Sequence, residues 1–438
     1  MGTETQDAGP SLEAGPPRRK LSPGPGLAAN DVAAHQLARI YEALIQIAAE
    51  SGYASLKVRD VVARAEVSTR AFYEHFASKE DCFSQAYDLI SRRATRRILA
   101  AQAGERDWHR RARLVFDEFA REVEREPGSA HLALIDVYGA GEAALARARR
   151  AERDFEGVLA EALARPPGGV VVPPLIVEGV VAGIATVSRD RLLAGKVDLA
   201  GNGDVLVGWA MSYASDLAAR LSDLDTRSVW RDTTLEALRG EGKHRPRRGD
   251  RDLILDAVAG LTAASGYASL TAPRIRSTAS VSRRKFEAHF NGVEDCWLAA
   301  LDQHAVEAMA QAVRAQNAAA DPSGGIYRAI AALCDQVAGD PFLARVCLGD
   351  DFPPGREGVR SRKRLGEAIV EMLADGRART SRLAGEAVIG AVWSLFHHHV
   401  LRDKASRNRI SATLAYMVLT PTIGPRAAVE AIEREQSS

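Results

Sequence analysis

The stretch Ser51–Phe83 (SGYASLKVRDVVARAEVSTRAFYEHFASKEDCF) recurs without a gap at Ser265–Trp297 (SGYASLTAPRIRSTASVSRRKFEAHFNGVEDCW), with 16 of 33 positions identical at a constant offset of 214 residues. That period is far too long for a solenoid, whose repeats run to about 20–50 residues. Each copy instead opens a length of chain the size of a whole small protein. The sequence therefore predicts two related proteins fused in tandem, and the positions where the copies differ carry the functional argument.

Both units read as all-α. The chain of 438 residues is 46% hydrophobic and only 6% aromatic. It is rich in alanine and leucine and lacks the apolar–polar alternation of strands. A formal net charge of +1 excludes nothing, because a nucleic-acid binder needs only one basic face. Residues 31–97 hold ten basic and nine acidic side chains, so position decides and totals do not. Cys82, Cys296, Cys334 and Cys347 form no CxxC pair and no Cys/His metal spacing, and read as buried thiols. Val170–Val187 is apolar enough to resemble a membrane span, but Pro173, Pro174 and Glu178 interrupt it, which favours a buried helix. With no secretory signal at the start, the expected location is the cytoplasm, without membrane contact.

Residues 1–30 are Gly/Pro-rich with a basic knot at Arg18, Arg19 and Lys20, and read as a disordered arm. A first DNA-binding unit is expected over 31–97 and a first helical regulatory domain over 98–239. The polar, basic Gly240–Asp250 reads as a linker. The plan repeats over 251–315 and 316–430, with a tail at 431–438. Within the first copy, Gly52 ends an opening helix. Two short helices, Val58–Ala65 and Thr69–His75, flank a turn at Glu66-Val67, and Ser68 and Ser78 stand at N-cap positions.

Two short helices joined by a tight turn, the second opening with small and basic residues, describe a helix-turn-helix, whose second helix enters the DNA major groove. Val61, Val62, Ala65, Val67, Phe72 and Phe76 supply its buried side, leaving Thr69, Arg70, Tyr73 and His75 to face outward. Thr and Arg suit base edges; Tyr, His and Lys suit phosphates. The competing reading makes the aromatic positions a plain core stripe and the charges a solvated face.

These residues resemble the DNA-binding region of the tetracycline-repressor family of bacterial regulators. The likeness rests on Gly52-Tyr53, the V-R-D-V run at Val58, Val67-Ser68, Phe72-Tyr73-x-His75-Phe76 and Ser78-Lys79-Glu80. It implies groove contacts from Arg59, Thr69, Arg70 and Ala71, and phosphate contacts from Tyr73, His75 and Lys79. It also implies a double-stranded DNA partner, a small-molecule effector, repression through a (pseudo)palindromic operator, and pairing of protomers, here as an intramolecular pseudo-dimer or a homodimer. Two departures stand out: Lys57 where the family has a Ser or Thr cap, and Glu66 in place of a turn glycine.

The second copy keeps the frame residues, and Thr271 restores the cap, but Tyr73 becomes Glu287, Lys79 becomes Val293 and Arg59 becomes Pro273. Against those losses, Thr271–Phe286 carries Arg274, Arg276, Arg283, Arg284 and Lys285 without an acid. Arg283, Arg284, Lys285 and His289 are its candidate DNA contacts, with a purely scaffolding role as the alternative.

Helices over Pro174–Leu193 and Val205–Leu221, with Leu383–Arg402 and Arg409–Leu419, are the expected four-helix contact between the halves. Trp108, Phe116, Phe119, Tyr138, Trp393 and Phe396 either line an apolar ligand pocket or form core. His397, His398 and His399 are successive helix residues whose side chains diverge, so they read as part-buried helix positions and not as a chelate. No nucleophile elbow, phosphate loop, zinc-protease motif or nucleotide fingerprint occurs, so neither a catalytic site nor a cofactor is expected.

Overall fold

The opening helix of each half ends on a glycine that only a left-handed or open backbone suits. Gly52 has φ +77 and Gly266 has φ +78, and each N–H closes the preceding helix by bonding four residues back. The computed structural model describes residues 29–163, 172–196, 198–214, 249–349, 381–400 and 404–437, and every regular element among them is helical. They form two compact units. One takes in the described residues to Ala162 together with Ala185–Val207; the other takes in the described part of Leu163–Ile184 and everything from Gly208 on.

The first unit opens with α1 (Ala29–Ser51), α2 (Val58–Ala65), α3 (Thr69–His75) and α4 (Lys79–Gln102). α5 (Trp108–Arg125), α6 (Pro127–Leu134) and α7 (Glu142–Leu163) follow. Helix α1 starts at Ala29, so the arm predicted over 1–30 ends earlier than its composition suggested; residues 1–28, with the basic knot, lie outside the described part. Its apolar stripe, including Ile40, Leu44 and Ala48, is fully buried against Phe72, Phe76, Phe83 and Leu132. The α4–α5 contact adds Arg97 to Glu122 at 2.9 Å and the buried Arg93 to Glu126. Pro127 separates α5 from α6 and occupies the first turn of α6, where its missing N–H costs nothing.

The second unit receives parts of two helices from the first half of the sequence: the N-terminal part of α8 (Pro174–Leu193) and the C-terminal half of α9 (Gly203–Ser212). Its own helices are α10 (Asp250–Ser265), α11 (Ala272–Ala279), α12 (Arg283–His289), α13 (Val293–Asn317), α14 (Pro322–Gly339), α15 (Pro341–Gly349), α16 (Arg382–His399), α17 (Lys404–Ile423) and α18 (Pro425–Ser437). The division therefore does not fall at the predicted 240–250 linker, because α8 buries Ile176, Val177 and Val180 among second-half residues. Most of that linker lies outside the described residues, and its last residue, Asp250, already begins α10.

Close approach explains the small residues of α8. A Cβ on Gly179 would meet Met417 Sδ at 2.6 Å, and one on Gly183 would meet the Ala387 carbonyl at 2.5 Å. Residues 215–221 of the expected Val205–Leu221 helix, and 401–402 at the end of Leu383–Arg402, lie outside the described part. The predicted tail at 431–438 is corrected: to Ser437 it is helix α18, with Ala431 and Ile432 fully buried and Gln436 bonded to the Tyr327 hydroxyl at 3.2 Å. An i, i+3, i+4 apolar stripe (Ala428, Val429, Ala431, Ile432) lets this short segment pack on α14.

No helix among the described residues is long and apolar enough to cross a membrane. Cys82, Cys296 and Cys334 are buried free thiols, and burial pushes Cys296 up to about 12.

Candidate nucleic-acid interface

The turn between α2 and α3 is fixed by one left-handed residue and one cap. Glu66 has φ 49, a conformation that costs an ordinary side chain about 1–2 kcal/mol. Its carboxylate meets Arg39 of α1 at 3.1 Å. No periodicity in the sequence signals that pair, which turns Glu66 toward α1. Two residues on, the Ser68 hydroxyl accepts the Ala71 N–H at 3.0 Å and starts α3. Lys57, as its residue type predicts, makes no side-chain cap for α2.

Below α3, Val61, Val62, Ala65, Phe72 and Phe76 are buried and Val67 packs beside them. Phe76 meets Tyr41 edge-on with centroids 5.6 Å apart. That packing sets the rotation of α3 and therefore which residues look outward. Thr69, Arg70 and Tyr73 are exposed, Arg70 at 89% of its side chain. Arg70 Nε donates to Glu74 at 2.9 Å, one turn along the same face. Ala71 is the exception among the expected groove residues: it is only 9% exposed and faces the core, because it lies on the buried side with Phe72.

The remaining expected contacts lie around this face. Arg59 is exposed on α2 and pairs with Asp60 at 3.3 Å. His75 is half-buried beside Phe76. Lys79 opens α4, whose N-cap Ser78 accepts the Asp81 N–H at 3.2 Å. A cation at a helix N-terminus opposes the helix dipole. Here Lys79 Nζ sits 4.2 Å from the centre of the Tyr53 ring, a favourable cation–π position, and the Tyr53 hydroxyl donates to Glu80 at 3.1 Å. Burial, then the neighbouring Glu80, push the Tyr53 phenol up, so it remains a donor.

The second copy repeats this backbone. Ser280 takes the left-handed place of Glu66, with φ 55. Ser282 caps α12 by accepting from Lys285 N–H at 3.3 Å, and Thr271 caps α11 through Arg274 N–H at 3.4 Å. Phe286 and Phe290 are buried, while Arg283, Arg284, Lys285 and His289 are exposed. Arg283 Nε donates to Glu287 at 2.6 Å and Lys285 Nζ reaches Asp250 at 3.0 Å.

The histidine run is partly corrected. His398 and His399 do not simply diverge: His398 Nδ1 and His399 Nε2 both meet the Glu178 carboxylate of α8, at 3.1 and 2.9 Å. They converge because one uses its near ring nitrogen and the other its far one. Among the described residues no group of three or more His, Cys, Asp or Glu is arranged to hold a metal ion. Of the aromatic residues considered for a pocket, Phe116 and Phe396 are buried and Tyr138 is 44% exposed beneath the Arg189 guanidinium.

The family model for bacterial regulatory proteins of the tetR family matches residues 40–86, from the middle of α1 into α4. That segment is a tetR-type helix-turn-helix DNA-binding domain. No curated protein matches the chain. Two solved structures are similar to part of it. One is the fatty acid degradation regulator FadR from Bacillus halodurans, at 14% identity over 40% of this chain and 96% of that one, with a TM-score of 0.36. The other is the transcriptional regulator FadR from Bacillus subtilis in complex with stearoyl-CoA, at 15% identity over 40% and 97%, with a TM-score of 0.37.

Proposed function

We propose that the chain is a ligand-responsive transcriptional repressor of the cytoplasm, built from two tetR-type units in tandem and binding a (pseudo)palindromic operator on double-stranded DNA. The observation that carries this reading is the outward face of α3. Thr69, Arg70 and Tyr73 stand exposed on a helix whose rotation is fixed by buried Phe72 and Phe76, inside the segment that matches the tetR-type model. Arg70 and Thr69 would read base edges, while Tyr73, His75 and Lys79 would take phosphates. The matching backbone of α10–α13 supports a second, divergent reader, and the close approach of α8, and of Tyr213 just past α9, to α16 and α17 supports pairing within one chain. A small effector would act by preferring a conformation whose recognition helices no longer meet half-sites about 34–36 Å apart.

Selection of bound sequences from a random duplex pool, run on the wild type and Arg70→Ala, tests the reading. The expected result is an enriched site in the wild type whose preference at one position relaxes in the variant. Affinity for that site should also fall steeply between low and moderate salt. A wild type that enriches no sequence overturns it.

A further inference from the structure

Helices α3 and α12 correspond position for position in sequence, since both are seven residues long, begin after a serine cap, bury one phenylalanine and end on another that is buried at the C-cap. Arg284 thus stands at the place of Arg70, Glu287 at that of Tyr73 and Ala288 at that of Glu74. The ion pair along the helix has moved by one residue. In α3 it joins Arg70 to Glu74, and in α12 it joins Arg283 to Glu287. The shift leaves Arg284 with an alanine, not a carboxylate, four residues on.

The surrounding cations are engaged within the protein. Arg274 donates to the Ser269 carbonyl at 3.2 Å, Arg276 to the Ala272 carbonyl at 3.3 Å, Arg283 to Glu287 and Lys285 to Asp250. Arg284 has no such partner among the described residues. It shares a helix face with Glu287, three residues away, and both are exposed.

A carboxylate facing a duplex is repelled by phosphate unless it accepts a hydrogen bond from a base. In the major groove the exocyclic amine of cytosine is such a donor, while the adenine amine lies beside the N7 acceptor, which repels a carboxylate. Arginine pairs with guanine O6 and N7. We propose that α12 is a second reader with its own base code, in which two places exchange the roles they have in α3: Arg284 takes guanine as Arg70 does, Glu287 takes cytosine where Tyr73 takes a phosphate, and Arg283, released from Glu287, moves to a phosphate where Thr69 reads a base. The pair to be broken is exposed on both sides, 79% and 55%, so its loss costs little. The operator would then have two chemically unlike halves, one of them with guanine and cytosine at neighbouring positions. This inference rests on the DNA-binding reading above.

The test is the same random-pool selection on the full chain, with Arg284→Ala, Glu287→Gln and Glu287→Ala beside the wild type and Arg70→Ala. All of these side chains are exposed, and matching thermal midpoints confirm that the variants fold. The expected result is a bipartite site in which Glu287→Gln and Glu287→Ala relax a cytosine by about 5- to 150-fold and Arg284→Ala relaxes a guanine similarly, while Arg70→Ala acts only in the other half. If the Glu287 variants instead tighten binding to all sequences alike, Glu287 only repels phosphate and the code is wrong. If Arg70→Ala changes the selected site and no α12 variant does, the inference fails while the DNA-binding reading stands. An unenriched wild-type pool overturns both.

Discussion

The Tyr213 hydroxyl donates a 2.8 Å hydrogen bond to the main-chain carbonyl of Met417, 204 residues further along the chain. In a regular helix that carbonyl would receive the N–H of residue 421, four positions on. Residue 421 is a proline inside α17 and has no N–H to give. A fully buried phenol from the first half of the sequence therefore supplies the donor that the second half lacks. Burial raises the Tyr213 phenol well above its ordinary value, so it keeps its proton at any working pH.

Tyr213→Phe should leave the Met417 carbonyl buried and unpaired, at about 1–3 kcal/mol. Pro421→Ala restores an N–H for the same carbonyl. In that background Tyr213→Phe should cost markedly less, and a double-mutant cycle by denaturant unfolding measures the coupling. Equal costs in both backgrounds would show that Tyr213 does not serve the carbonyl freed by Pro421.

Where α8 meets α16, Gly183 leaves no room for a methyl group. Its Cβ would lie 2.5 Å from the Ala387 carbonyl and 2.6 Å from Trp209 Cη2. A backbone neighbour cannot swing aside, so Gly183→Ala should destabilise by about 1–3 kcal/mol despite the better helix propensity of alanine. Gly208 provides the contrast, since nothing lies within 4 Å of its added Cβ. Gly208→Ala should be neutral or stabilising by up to about 1 kcal/mol, and thermal unfolding of the two variants separates the cases.

Local rules made much of the frame legible. The bounds of α2, α3 and α8 follow from caps, glycines and apolar spacing, and the structure has those helices where the spacing put them. Relations over long sequence distance were not legible. Glu66 read only as a departure from a turn glycine because nothing local announces Arg39, and the histidines read as divergent because Glu178 comes from 220 residues away. Ala71 was misplaced for a different reason: position in a motif gives register, but burial by Phe72 decides which way a small residue points.

The repeat itself offers a stability experiment. Lys57 and Thr271 precede equivalent helices with nearly the same backbone, φ −124 and −137, yet only Thr271 accepts a capping N–H. Lys57→Thr should therefore install the missing cap and raise stability by about 0.5–2 kcal/mol, read as a higher denaturant midpoint at unchanged m-value. A variant no more stable than the wild type would mean that Lys57 contributes to the native state through some other contact.

The Glu178 carboxylate gives stability a pH dependence with a definite sign. Burial pushes it up, but the hydrogen bonds from His398 and His399 more than reverse this and hold it at about 2, against an ordinary 4.5. The folded state thus keeps this group ionised where the unfolded chain protonates it. Its contribution is complete above about pH 4.5 and is lost as pH falls toward 2, with a total on the order of 3 kcal/mol. Glu178→Gln should remove that part of the acid slope, so the unfolding free energies of wild type and variant converge as pH drops below 4.5. His399→Phe should flatten the same interval, since His399 contacts both carboxylate oxygens at 2.9 Å. Parallel acid slopes in all three proteins would show that Glu178 titrates alike in the folded and unfolded chains.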